Sequence, residues 1–163
     1  MIFIDTLIFV VGLNLLGFLA AYRLKSDKLT DFSYGLSFLL IAVYVYQGHS
    51  QSLTSQVFLL LVSLWAIRIA GFLVVRILKT KKDKRFDGVR EDFLKFGQFW
   101  LFQGITAWLI MVSSIYVLYK NPEVFEKASI WGIGLWVIGF LFETIADIQK
   151  FRFNSNPANK NRW

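Results

Sequence analysis

At 163 residues the chain is one domain's worth, and with 56 % hydrophobic residues and a mean hydropathy of +0.52 it is too apolar for a soluble domain of that size. It contains no cysteine, which excludes disulfides and thiol chemistry. A net charge of +7 would suit a nucleic-acid partner, but the apolar residues are grouped in runs near the ~20 residues that cross a bilayer. In such a chain basic charge reports topology, and no nucleic-acid partner is expected.

Five spans are expected, at about 2–22, 33–47, 56–78, 98–119 and 129–147, so the chain reads as an all-α, polytopic membrane helix bundle forming a single transmembrane domain over 1–163. The first run, IFIDTLIFVVGLNLLGFLAAY, has no basic region before it and no small-residue cleavage site after it, which marks a retained span rather than a signal peptide. The second is short and diluted by Ser33, Tyr34 and Ser37, as in a tilted or partly buried helix. The third carries Arg68 in its middle, and the fifth ends in the charged stretch FETIADIQKFRF.

The loops alternate in charge. Loop 23–32 carries Arg23, Lys25 and Lys28; loop 79–97 carries Lys79, Lys81, Lys82, Lys84, Arg85, Arg90 and Lys95; the tail carries Lys150, Arg152, Lys160 and Arg162. The intervening loop GHSQSLTS has no lysine or arginine, and the two lysines of loop 120–128 are offset by Glu123 and Glu126. The positive-inside rule then puts the N-terminus outside and the C-terminus in the cytoplasm, as expected for a protein of a bacterial inner or plasma membrane.

Charges inside the spans need an explanation. Arg68 lies about 16 Å from the cytoplasmic end of its helix by helical rise, where burial costs about 2.5–3.5 kcal/mol on insertion scales. A counter-charge such as Glu143 on the fifth helix would offset that, and so would a water-filled cavity. Arg76 and Asp147 offer a second, shallower pair, so the third and fifth helices carry either a structural zipper or the lining of a polar cavity. Glu143, Asp147 and Lys150 fall within about 60° of one another on a helix and form one stripe. The lone histidine, His49, has no second histidine or cysteine beside it, and no metal site is expected. Phosphate-loop, nucleophile-elbow and zinc motifs are absent.

Three stretches taken together carry a resemblance: LWAIRIAGFLVVRILKTKKDKRFDGVRE at 64–91, FWLFQG at 99–104, and FETIADIQKFRFNSNPANKNRW at 142–163. With these the chain resembles the membrane family related to the C-terminal domain of steroid 5-alpha-reductases, in its bacterial branch labelled as a domain of unknown function. The resemblance implies a membrane-embedded reductase that uses NADPH to saturate a carbon–carbon double bond conjugated to a carbonyl in a lipid-like substrate. It also implies that Asp147 matches the family's cofactor-contacting aspartate and that Glu143 stands where steroid reductases have asparagine. Lys150, Asn156, Asn159, Lys160 and Arg162 would flank the phosphates, and Arg68, Arg76, Asp83 and Arg85 match the bacterial branch's pattern. The site would face the cytoplasm, with the bilayer and a hydrophobic small molecule as partners. The chain stops at Trp163, where family members continue into a further motif, so the resemblance implies a C-terminally incomplete family domain that binds cofactor weakly or not at all by itself.

Two alternatives stand beside this reading. One is a relative of the isoprenylcysteine-type methyltransferases, which bind S-adenosylmethionine at a comparable place. The other is a non-catalytic, truncated membrane protein whose charges are structural. The density of lysine and arginine in loop 79–97 and in the tail favours a phosphate-rich cofactor.

Overall fold

The apolar runs fold as helices, each extending past the limits of its hydrophobic stretch. The computed structural model describes residues 1–47, 52–80 and 86–159. It consists of α1 (Ile2–Arg23), α2 (Lys28–Tyr46), α3 (Leu53–Thr80), α4 (Phe93–Lys120) and α5 (Lys127–Ser155), then a short 3-10 turn at Pro157–Asn159. All five helices are long and apolar enough to cross a membrane, and no strand occurs among the described residues. Loop residues 48–51 and 81–85 and the tail 160–163 lie outside the described residues, and with them His49, Asp83, Arg85, Lys160 and Arg162.

Polar first and last turns explain the extra length. The second span, expected from residue 33, starts at Lys28, where Thr30 Oγ1 donates to the Asp27 carbonyl at 2.6 Å. The fourth, expected from 98, starts at Phe93 because the Asp92 carboxylate accepts from the backbone N–H groups of Leu94 and Lys95 at 3.0 and 3.1 Å. The fifth continues to Ser155, so FETIADIQKFRF is helical throughout. Hydropathy marks the apolar part of a helix, whereas backbone hydrogen bonding carries the helix on into water.

Two helix ends use a left-handed residue. Lys25 (φ 46°) closes α1 as the Ser26 N–H bonds the Ala21 carbonyl at 3.0 Å and the Lys25 N–H bonds that of Tyr22 at 3.1 Å, a Schellman arrangement. Asn121 (φ 46°) closes α4, and its side-chain oxygen also accepts from the Ser52 N–H at 3.0 Å, joining the end of α4 to the start of α3.

The chain divides into two compact units, residues 1–123 and 124–163. In the first, α1 packs on α2 and α4, and α2 packs on α3 and α4 as well. Lipid tails are as apolar as leucine, so helices in a bilayer associate through close fit and hydrogen bonds rather than by escaping water. Gly35 shows the fit: a Cβ there would lie 2.6 Å from Ala70 Cβ and 2.7 Å from its Cα, so α2 and α3 approach almost backbone to backbone. Gly17 likewise makes room for the Trp100 ring. One buried cluster runs along α1–α4 through Val10, Phe38, Ile41, Ala66, Met111 and Ile115. A second, aromatic cluster gathers Phe18, Phe86, Phe96 and Trp100 near the α1–α2 turn, with Phe86 and Phe99 edge to face at 4.7 Å. The second unit is α5 with its 3-10 turn; Trp136 stacks on Phe140 at 4.9 Å, and no residue of α5 is buried.

Candidate functional site

Charge is concentrated at the end of the first unit where α1 and α3 finish and α2 and α4 begin. Arg76, four residues before the end of α3, forms an ion pair with Asp31 in the first turn of α2, with their side chains 35 % and 18 % exposed. Arg90, just before α4, is only 5 % exposed and meets Asp27, 3 % exposed, at 3.2 Å. Its fork is filled further: Nη2 donates to Asp87 at 2.7 Å and Nε to the Phe86 carbonyl at 3.1 Å. The α1–α2 turn and the segment leading into α4 are thereby tied together beside the aromatic cluster.

A neutral polar layer lies deeper. Asn14 stands nine residues before the end of α1, Ser37 nine after the start of α2 and Gln103 ten after the start of α4, each about 13–15 Å from that end and near the middle of a ~30 Å slab. They are joined in a chain: Gln103 Nε2 donates to Asn14 Oδ1 at 2.9 Å, Asn14 Nδ2 to Ser37 Oγ at 3.0 Å and to the Val10 carbonyl at 2.9 Å, and Ser37 Oγ to the Ser33 carbonyl at 2.7 Å. Beside it a cavity of about 80 Å³ opens between α1 and α2, lined by Leu13, Asn14, Ser33, Leu36, Ser37 and Leu40.

On α5 the stripe is present as one unbroken helical face, with Glu143 and Asp147 partly buried and Lys150 exposed. Beyond the helix the Asn159 amide folds back and donates to the Phe153 carbonyl at 3.1 Å, and the Asn156 side chain accepts from the Ala158 N–H at 3.0 Å. These two asparagines therefore close the C-terminal end of α5. Among the described residues no three His, Cys, Asp or Glu side chains gather as metal ligands.

The expected site residues thus fall in several places. Arg68 lies partly buried on α3, Arg76 is engaged by Asp31, Glu143, Asp147, Lys150 and Asn159 belong to the second unit, and Arg85 and Arg162 lie outside the described residues. Asp27, Asp31 and Arg90 escape sequence reasoning because isolated loop charges next to a basic run look like topology signals. Asn14 and Gln103 escape it too, although a lone amide inside an apolar run is itself a signal in a membrane helix, where every polar group needs a partner.

No curated protein and no solved structure matches the chain. Residues 17–163, which include α2 to α5, the buried Asp27–Arg90 pair and the α5 stripe, match the family described as protein of unknown function (DUF1295). With all but the first sixteen residues covered, the chain belongs to the DUF1295 family.

Proposed function

We propose that the chain is a membrane-embedded, NADPH-dependent reductase of a conjugated carbon–carbon double bond in a lipid-like substrate, related to the steroid 5-alpha-reductases. The observation that carries this reading is the α5 stripe: two partly buried carboxylates, Glu143 and Asp147, continue on one helical face into the exposed cation Lys150. A dinucleotide with a 2′-phosphate presents ribose hydroxyls beside some three to four negative charges, so it calls for acceptors next to Lys and Arg donors. The donor set fits. Asp147 would accept from ribose or amide, and Lys150 with Arg162 would meet phosphate. Asn159, engaged with the α5 end, would act by holding that end in shape. In the first unit Asp31 already neutralises Arg76, so a phosphate meeting Arg76 there would have to compete with a carboxylate.

When bound, the nicotinamide supplies the hydride, and apolar helices exclude water from its path. In this reading the N-terminus lies outside, the tail lies in the cytoplasm and the site faces the cytoplasm. A reporter active only in the cytoplasm should therefore work after residue 90 or 163 and fail after 52 or 124. The function is tested by titrating the chain with NADPH, NADH and S-adenosylmethionine while following tryptophan fluorescence. Weak NADPH binding, still tighter than NADH binding and lost in Asp147→Ala and Lys150→Ala, is the expected result. Binding of S-adenosylmethionine with indifference to NADPH would replace this reading with the methyltransferase one.

A further inference from the structure

The cavity between α1 and α2 has one polar group without an occupation. Asn14 spends both amide hydrogens, on the Val10 carbonyl and Ser37 Oγ, and its oxygen takes the hydrogen of Gln103. Ser37 donates to the Ser33 carbonyl four residues back, the usual resort of a serine inside a helix. The Ser33 hydroxyl lines the same cavity and makes no hydrogen bond among the described residues. Ser33 lies about 7.5 Å inside the start of α2 and is half-buried, and a hydroxyl facing an apolar-walled cavity gains from a hydrogen-bonding partner there. The neighbouring amide and hydroxyl have already given all their hydrogens, which leaves Ser33 Oγ as the lining group with a hydrogen to donate to a visitor.

We propose that this cavity binds the oxygen-bearing end of an uncharged, otherwise apolar molecule, a long-chain alcohol or ketone in chemical class, with Ser33 Oγ as its hydrogen-bond partner. A volume of about 80 Å³ is well beyond the 10–15 Å³ that admits a single water and below the ~150 Å³ of a cavity that encloses benzene, so it suits a slender head group. None of the six lining residues is charged, and at this depth an ionised head would find no counter-charge in the wall. Leu13, Leu36 and Leu40, all partly exposed, offer an apolar path for the tail. The inference rests on the first unit alone and stands whether or not the chain binds a dinucleotide.

The test is photolabelling of the purified full chain in phosphatidylcholine vesicles with hexadecanol carrying a diazirine beside its hydroxyl, followed by peptide mapping. Label should concentrate on the α1 and α2 peptides containing Leu13 and Leu36. Unlabelled hexadecanol or 2-hexadecanone should compete, whereas hexadecane and palmitate should not. Competition by only one of the two oxygenated compounds also supports the site and shows whether the occupant gives or accepts the hydrogen. Ser33→Ala removes no internal hydrogen bond and should fold normally, yet lower labelling about five- to tenfold. Leu40→Trp, which fills the cavity, should abolish labelling in protein of unchanged melting temperature. Labelling spread evenly over all five helices, equal competition by hexadecane, or indifference to Ser33→Ala would each overturn the proposal.

Discussion

Arg90 and Arg76 each answer an aspartate at the same end of the four-helix unit, but they do so in different surroundings. Arg90 and Asp27 are almost wholly enclosed, with Asp87 and the Phe86 carbonyl completing the fork, whereas Arg76 and Asp31 sit at the rim, a third and a fifth exposed. Water screens the rim pair and can replace either partner, so little is lost when it breaks. The enclosed pair has no such substitute, and removing one member strands the other in a place that cannot solvate it. Similar chemistry thus yields a latch in one place and an adjustable, water-screened contact in the other.

The comparison is broken most severely at the latch. Arg90→Ala should destabilise the unit by about 3–5 kcal/mol, read as the shift in an SDS or thermal unfolding curve in detergent. Replacing both partners with apolar residues, Arg90→Met with Asp27→Leu, should restore much of that loss. An Arg90→Ala protein as stable as the parent would mean that water reaches the pair.

At the next level is Gly35, whose bare Cα allows α2 and α3 to come close enough for Asp31 to reach Arg76. Gly35→Ala must push against Ala70 Cα and N at 2.7 and 3.0 Å, and should cost about 1–3 kcal/mol while loosening the rim pair. The neutral layer should be cheaper per bond than the latch. Asn14→Leu, which removes three hydrogen bonds, should cost about 0.6–2 kcal/mol, since such bonds in membrane helices are individually weak.

The rim pair itself comes last among the substitutions. Asp31→Asn should change stability by only about 0.2–1 kcal/mol, with the difference shrinking as salt is raised. The smallest effect is one of pH. The Lys95 backbone N–H, with help from that residue's charge and from the Leu94 N–H, holds the exposed Asp92 carboxyl below its ordinary value. The folded chain then binds fewer protons than the unfolded one in the acid range. Its stabilising contribution is present above the ordinary carboxylate pKa of about 3.9 and is lost as pH falls through the lowered value. Asp92→Asn should flatten that acid limb and leave neutral-pH behaviour nearly unchanged.

Much of the fold was legible in the sequence because membrane spans follow from length and composition. The five spans appear where the apolar runs lie, and the stripe Glu143–Asp147–Lys150 is the continuous helical face that its spacing predicted. The candidate site was legible only in part. Asn159 reads as a phosphate-side residue by resemblance, yet one N–H of its amide folds back onto the Phe153 carbonyl, which no spacing rule reveals. Arg76 reads from sequence as a candidate partner of Asp147, and only the packing shows Asp31, 45 residues earlier in the chain, beside it.

What the sequence by itself determined is the class of molecule: hydrophobic runs of membrane-spanning length must become helices in a bilayer, since only helices and closed barrels satisfy their own backbone there. What the tertiary structure alone decided is which polar groups find one another. Asp27 with Arg90, 63 residues apart, and Asn14 with Gln103, 89 apart, are joined by the packing of α1, α2 and α4 rather than by any local pattern. The physical reason is that secondary structure here is set by a solvent acting on every residue alike. Pairing is set by close contact at particular glycines and polar side chains, and such contacts exist only once the helices have packed.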